Sequence, residues 1–358
     1  MGRVFYCTRE SVQDAFDVRE AAHRSTQIDN AIASASDDID GWLNRHKHGL
    51  APRTATRYFS WPARNFSQAW RLWLDENELI SITTLTAGGT VIASSDYFLE
   101  PVNSGPPYTH VEVDLDSSAS FSNSGTSQRA ISIVGQWGIN DDQKAAGALE
   151  SAVASTSTTT VDVTRGDIVG VGSVLEIDSE KMLVIQKQAL DSTQNLASAM
   201  NAVKSDQVVD VSDGTLFFVG ELILVDSERM RITDITGNNL TVIRAYDGST
   251  LAAHLITADV YVYRRLTVER GALGSTAATH SDAVSVTVWD VPSLVADLCR
   301  ALAITRLEQE FSAYGARVYS DEAERDSSGT EVVAGRGLTD LRKSCARKYK
   351  RKFRKAAI

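Results

Sequence analysis

Hydrophobic positions recur in distinct rhythms along the chain, and each rhythm predicts a different kind of element. Near the N-terminus the spacing is helical: Thr8 caps a short helix holding Val12, Ala15 and Phe16, and Thr26 with Asp29 opens a longer one. The stripe of that second helix is Ile28, Ile32, Ala35, Ile39 and Leu43, with Arg45, His46, Lys47 and His48 at its negative end and Gly49 as its stop. From Thr56 the period falls to two. Trp70 to Asp75, Leu79 to Leu85, His110 to Leu115 and Ala130 to Trp137 read as strands, with Ala87-Gly88-Gly89 as a turn and Pro101 to Pro107 as a loop. Trp61, Trp70, Trp73 and Trp137 lie at strand spacing, which favours core over a stacking platform. Asp141 to Thr160, rich in Ala, Ser and Thr, reads as an exposed connector.

Beyond it the chain repeats itself. Val161-Asp162-Val163 through Gly172 to Asp178-Ser179-Glu180-Lys181-Met182 returns 48 residues later as Val209-Asp210-Val211 through Gly220 to Asp226-Ser227-Glu228-Arg229-Met230. A second stretch, Leu240-Thr241-Val242-Ile243-Arg244 with Gly248-Ser249-Thr250 and His254, returns 26 residues later as Leu266-Thr267-Val268-Glu269-Arg270 with Gly274-Ser275-Thr276 and His280. The central front and back halves are separated only by the turn Thr233 to Asn239, so one complete β-unit lies in the middle. The leftover halves, Val161 to Ile185 and Leu266 to Val288, flank it. Two arrangements follow: nested duplication, in which the flanking halves pair in space, or simple tandem half-repeats.

Pro292 reopens a helix with Val295, Leu298, Leu302, Ile304, Leu307, Phe311 and Tyr314 spaced for burial. Asp321 to Gly337 is a polar linker. In the last segment Leu338, Leu341, Cys345, Tyr349 and Phe353 form a narrow apolar stripe on a helix that is basic elsewhere.

Charge sharpens the view of that last segment. Arg336 to Ile358 holds ten of the 36 Lys and Arg but one acid, Asp340, whereas residues 1 to 335 hold 26 against 45 Asp and Glu. A cationic tail behind an acidic body points to a partner. Composition is ordinary for a globular chain, and no apolar run has the length of a signal peptide core or membrane span. Cys7, Cys299 and Cys345 are odd in number, far apart in sequence and free of CxxC spacing, so they read as small buried hydrophobes.

Catalytic patterns are missing from the text: there is no GxxxxGK[ST], HExxH, GxSxG or EF-hand loop, and Gly170-Val171-Gly172 lacks a third glycine. No enzyme, cofactor or metal centre is therefore expected. Asp37, Asp38 and Asp40 read as a solvated helix face rather than a cation site. The repeated Asp178-Ser179-Glu180 and Asp226-Ser227-Glu228 offer carboxylates for a cation or sugar, and His254 and His280 offer bases. Their occurrence at equivalent positions of two copies favours a role in the scaffold.

The two N-terminal helices, the stretch Tyr58-Phe59-Ser60-Trp61-Pro62 to Asp96-Tyr97-Phe98-Leu99-Glu100-Pro101, and the ending Ile131-Ser132-Ile133-Val134-Gly135-Gln136-Trp137-Gly138 resemble the head-to-tail adaptor proteins of long-tailed bacteriophages. In that family an aromatic-Gly strand end is followed shortly by a Val-Pro that opens a helix; here the whole repeat region separates Trp137-Gly138 from Val291-Pro292. The resemblance implies an α+β chain: a helical adaptor core with a β-sandwich-like module, a large inserted domain of duplicated small β-units and a basic C-terminal helix. The boundaries are 1–50 for the N-terminal helices, 51–138 for the β module, 139–290 for the insertion, 291–320 for the core helix and 321–358 for linker and tail.

The resemblance further implies a dodecameric ring in the virion neck, assembled in host cytoplasm, joining the portal protein to a stopper or tail protein and passing DNA through its lumen without sequence preference. Its tail would seat Leu338, Leu341, Cys345, Tyr349 and Phe353 on portal protein. Arg342, Lys343, Arg347, Lys348, Lys350, Arg351, Lys352, Arg354 and Lys355 would face portal carboxylates or DNA phosphates. Two other classes remain open: a DNA-binding packaging factor, whose body should be basic beyond the tail, and a virion carbohydrate-binding or hydrolytic protein using Glu180 and Glu228.

Overall fold

Helical and alternating stretches take up the structures their periods call for, in a computed structural model that describes residues 2–16, 25–45, 49–62, 68–311 and 336–351. The chain is α+β. Among the described residues the helices are α1 (Arg9–Phe16), α2 (Ser25–Trp42), α3 (Ser293–Phe311) and α4 (Arg336–Tyr349), and all strand pairing is antiparallel. Thr8 caps α1 by accepting from the Ser11 amide at 3.3 Å. The expected stripe of α2 is buried from Ile28 to Leu43. On α3 it is Val295, Leu298, Leu302 and Leu307, joined by Cys299 and Ala303, that turn inward.

Two units divide the chain. One comprises Asp40–Asp142, Gly271–Thr276 and Tyr349–Ile358. Its four-stranded sheet runs in the order Arg53–Phe59, Ile131–Trp137, Leu79–Ala87, Thr90–Ile92, and a three-stranded sheet runs Arg71–Trp73, His110–Val113, Tyr97–Glu100. Along Ile131–Trp137 burial alternates strictly, and Ile131, Ile133 and Trp137 enter one core with Leu72, Leu85 and Val111. Trp61 and Trp137 belong to that core; Trp73 is half-buried with its ring 4.5 Å from His110. Gly135 is required where the register slips between Ile82 and Thr84, because a Cβ there would lie 2.2 Å from the Ser81 carbonyl.

The other unit comprises Met1–Ile39, Gln143–Arg270 and Ala277–Lys348, and is built on a ten-stranded sheet. Two cores form on it. The inner core holds Leu196, Met200, Val209, Val211, Phe217, Ile223, Val225, Met230, Ile232, Leu240, Val242, Val260 and Val262. In the outer core every one of these has a counterpart, from Leu149 and Val153 through Val161, Leu175 and Met182 to Leu266, Val268, Val286 and Val288. The flanking halves therefore share one core, as nesting calls for. They also pair directly: Val174–Ile177 with Ser285–Trp289, and Thr160–Asp162 with Asp259–Glu269.

Two long strands run through both copies. Glu180–Asn195 and Asp259–Glu269 pair from Leu183↔Glu269 to Asn195↔Asp259, with three register shifts that absorb the passage from one core to the next.

The expectation of an exposed connector at Asp141 to Thr160 is corrected here. Gln143–Ala148 is a strand against Ser285–Trp289, and Ala146, Leu149 and Val153 are buried in the outer core. Leu149 to Val153 is the counterpart of Leu196 to Met200. Both segments make the same bonds: Leu149 and Leu196 amides donate to the Val284 and Ala258 carbonyls, and Val153 and Met200 each exchange two bonds with a histidine, His280 and His254. Small side chains concealed a core segment because its buried face carries only two large residues.

Candidate functional site

Each copy of the β-unit brings together the same four side chains, a glutamate, an arginine and a histidine that are enclosed and an aspartate that stays exposed. In the inner copy Asp226 and Glu228 flank a hairpin turn, Asp226 itself at φ 52°. Glu228 is fully buried and takes a two-pronged fork from Arg244, with Nε and Nη2 at 2.7 Å each. His254 faces Asp226 with Nδ1 at 2.7 Å and Glu228 with Nε2 at 2.9 Å. Only the doubly protonated ring can donate to both carboxylates. Backbone amides of Ala245 and Ala252 complete the shell of Glu228, and the Arg244 guanidinium spends its other donors on the carbonyls of Asn201, Asp206 and Ala252.

Glu180, Arg270, His280 and Asp178 repeat this in the outer copy, again with fork distances of 2.7 Å and histidine distances of 2.7 and 2.9 Å. Arg270 reaches the carbonyls of Ser155, Thr158 and Ala278.

Burial opposes ionisation of Glu228, but the Arg244 fork, the Ala252 amide, His254 and the Ala245 amide outweigh it and push its pKa down to about 2. The carboxylate is thus a fixed anion with no lone pair left for substrate. His254 and His280 each stay in their own copy rather than forming a pair of bases. The arginines are the partners that the motif reading did not assign, although both stand in the repeated text at the same offset as the histidines. A third buried fork joins the copies: Arg264 grips Glu221 at 2.7 Å through two nitrogens, and Glu221 accepts from the Gly166 amide of the outer copy at 2.9 Å.

The basic tail resolves into α4. Cys345 is fully buried, Leu338, Leu341 and Tyr349 are half-buried, and Arg342, Lys343, Arg347, Lys348 and Lys350 are exposed. The stripe and its flanks are therefore real faces of a helix. Cys345 is enclosed by its own chain, Leu338, Leu341 and Tyr349 keep part of their surface, and the cationic flank is what α4 presents most fully. Lys352, Phe353, Arg354, Lys355 and most of the linker lie outside the described residues.

Two further expectations change. Cys7 and Cys299, 292 positions apart, bring their sulfurs to 3.4 Å, and contact with Cys299 together with burial pushes the Cys7 thiol well up. Asp37 and Asp38 stay exposed, as a solvated face calls for, and pair with Arg3 and Arg306, whereas Asp40 is buried. Among the described residues no group of His, Cys, Asp and Glu is placed to hold a metal ion, and no helix is long and apolar enough to cross a membrane. No known protein family, curated protein or solved structure matches the chain.

Proposed function

We propose that this chain is a structural assembly protein, a ring-forming head-to-tail adaptor of a bacteriophage neck that binds portal protein through α4 and lets DNA pass without reading it. The observation that carries the reading is the division of α4 into a stripe anchored by buried Cys345 and an exposed cationic flank, following a body that is strongly acidic. Such a helix offers charge in a fixed register, suited to carboxylates or phosphates at a neck junction. The adaptor chassis is the helices and the β module with its sandwich-like pair of sheets, and the duplicated β-units are an insertion that decorates the ring or clamps neighbouring subunits.

Glu180 and Glu228 count against the carbohydrate or hydrolytic alternative, since both are buried and saturated by their own scaffold. The acidic body counts against a dedicated DNA binder.

Deleting residues 336–358 tests the proposal. The shortened protein should keep its β-sheet circular dichroism and lose co-sedimentation with purified portal, while the full chain forms portal-capped rings under the electron microscope. Portal binding that survives the deletion would overturn it.

A further inference from the structure

Four arginines converge in the unit that contains the smaller sheets. Arg53 and Arg57 project from the strand Arg53–Phe59, Arg45 follows the end of α2, and Arg351 follows the end of α4. Arg53, Arg57 and Arg351 line a cavity of about 30 Å³ together with Glu78, Trp137, Gly49, Ala51 and Gly138. That space admits one or two water-sized atoms, which is the reach of one end of an oxyanion.

The charges do not balance. Glu78 has both oxygens engaged by Arg45, whose side chain is almost wholly buried and also donates to the Tyr349 carbonyl at 2.7 Å. Glu76 is a second carboxylate that acts on Arg57 and Arg351. Arg45, Arg57 and Arg351 thus share Glu78 and Glu76, and a guanidinium does not shed its proton to relieve the excess.

Arg57 lies over the Trp137 ring at 4.4 Å and donates to Asn77. Burial, then Arg351 and Arg53, push its pKa down to about 10. The Arg351 side chain has no hydrogen-bond or ion-pair partner among the described residues, and its Nε is buried. The Nε of Arg45 is buried and unbonded too. Uncompensated buried donors of this kind are costly unless an acceptor enters.

We infer that the pocket lined by Arg53, Arg57 and Arg351 is a binding site for a phosphate-class oxyanion, with Arg351 and Arg57 as the gripping forks and the Arg45–Glu78 pair as their rigid backing. Planar forks match the tetrahedral edge of phosphate and hold it in two-pronged fashion. The phosphate can arrive as the free ion or as part of a nucleic-acid backbone. Arg351, expected on the cationic flank of the tail, is half-buried and lines this pocket instead, so the site is separate from the exposed flank of α4 and does not depend on the neck assignment.

Calorimetric titration of the full chain with sodium phosphate, at ionic strength fixed with chloride, tests it. Saturable binding is expected, weakened about ten- to a hundredfold by Arg351→Gln and by Arg57→Gln and less by Arg351→Lys, which keeps the charge but loses the fork, with folding of each variant checked by circular dichroism. No heat beyond that of chloride, or folded Arg351→Gln and Arg57→Gln proteins that bind like wild type, would overturn the site. So would acetate binding more tightly than phosphate. A mixed-sequence DNA duplex then separates the sources: displacement of phosphate by the duplex, lost in Arg351→Gln, assigns the pocket to the nucleic-acid backbone, and saturable phosphate binding without displacement assigns it to the free ion.

Discussion

The inner and outer β-units carry the same core and the same network of buried Glu, Arg and His with an exposed Asp, yet one is continuous in sequence and the other is not. In the inner copy the Glu228 and Arg244 partners are 16 positions apart; in the outer copy Glu180 and Arg270 are 90 apart. Closing the longer loop through unstructured chain costs about 1.5 kcal/mol more. A folded inner unit removes most of that cost, because it delivers the strands Glu180–Asn195 and Asp259–Glu269 already paired. The difference teaches that identical contacts need not fold on equal terms: the inner copy can form alone, whereas the outer one closes around it.

Backbone details support treating the copies as one design used twice. Asp178 and Asp226, Leu273 and Asp247, and Ala283 and Thr257 are left-handed in matching turns, and Ser275 and Ser249 bond the same relative carbonyl. Where the copies part is at the tip following the histidine, exposed Leu255-Ile256 in the inner copy against Ser281-Asp282 in the outer.

The largest effect should come from breaking one network at a time. Glu228→Gln leaves Arg244 buried without its counter-charge and His254 with Asp226 as its one carboxylate, and should cost about 3–5 kcal/mol. On the closure argument it lowers hydrogen-exchange protection in both cores, whereas Glu180→Gln spares the amides of Leu222–Val225 and Glu228–Thr236. Equal loss across both cores in the two variants would remove the ordering.

Acid gives the next effect. The Glu228 pKa is depressed from an ordinary 4.5 to about 2, so its contribution is fully present above pH 4.5 and is lost as pH falls toward 2. The loss amounts to about 3 kcal/mol. Urea midpoints measured across that window should fall steeply for wild type and more shallowly for Glu228→Gln; parallel slopes would dissociate the carboxylate from acid stability.

The smallest change should follow from removing the inner copy altogether. Replacing residues 185–265 by the seven-residue turn Thr-Asp-Ile-Thr-Gly-Asn-Asn joins the outer halves as the inner ones are joined. Shorter closure returns little, because the folded inner unit already offsets most of that cost, against loss of the Glu221 contact to Gly166 and of the Arg265 fork on Asp162. A cooperative urea transition within about 1–2 kcal/mol of the parent is expected, and a non-cooperative one would show that the outer copy needs its guest.

By itself the sequence determined whatever a local period can report. The stripe Ile28–Ile32–Ala35–Ile39, the alternation of Ile131–Trp137 and the two repeat offsets all appear as inward faces or equivalent positions, and Leu338–Leu341–Cys345–Tyr349 as the less exposed face of α4, because burial on one face of a helix or strand repeats at 3.6 or two residues. Periodicity says nothing about which distant segments meet.

Only tertiary structure decided that Glu180 closes on Arg270, that Leu149 and Val153 complete a core from within an Ala/Ser/Thr-rich stretch, and that Cys345 is covered by its own chain. The same holds for the arginine pocket. Arg45 and Lys47 read alike at a helix end, and Arg351 reads as one charge in a basic run; it is long-range packing, bringing positions 45, 53, 57 and 351 to one cavity rim or its backing, that turns four ordinary cations into a site. Side-chain chemistry is local, whereas desolvation and convergence, which give that chemistry its use, are properties of the folded chain.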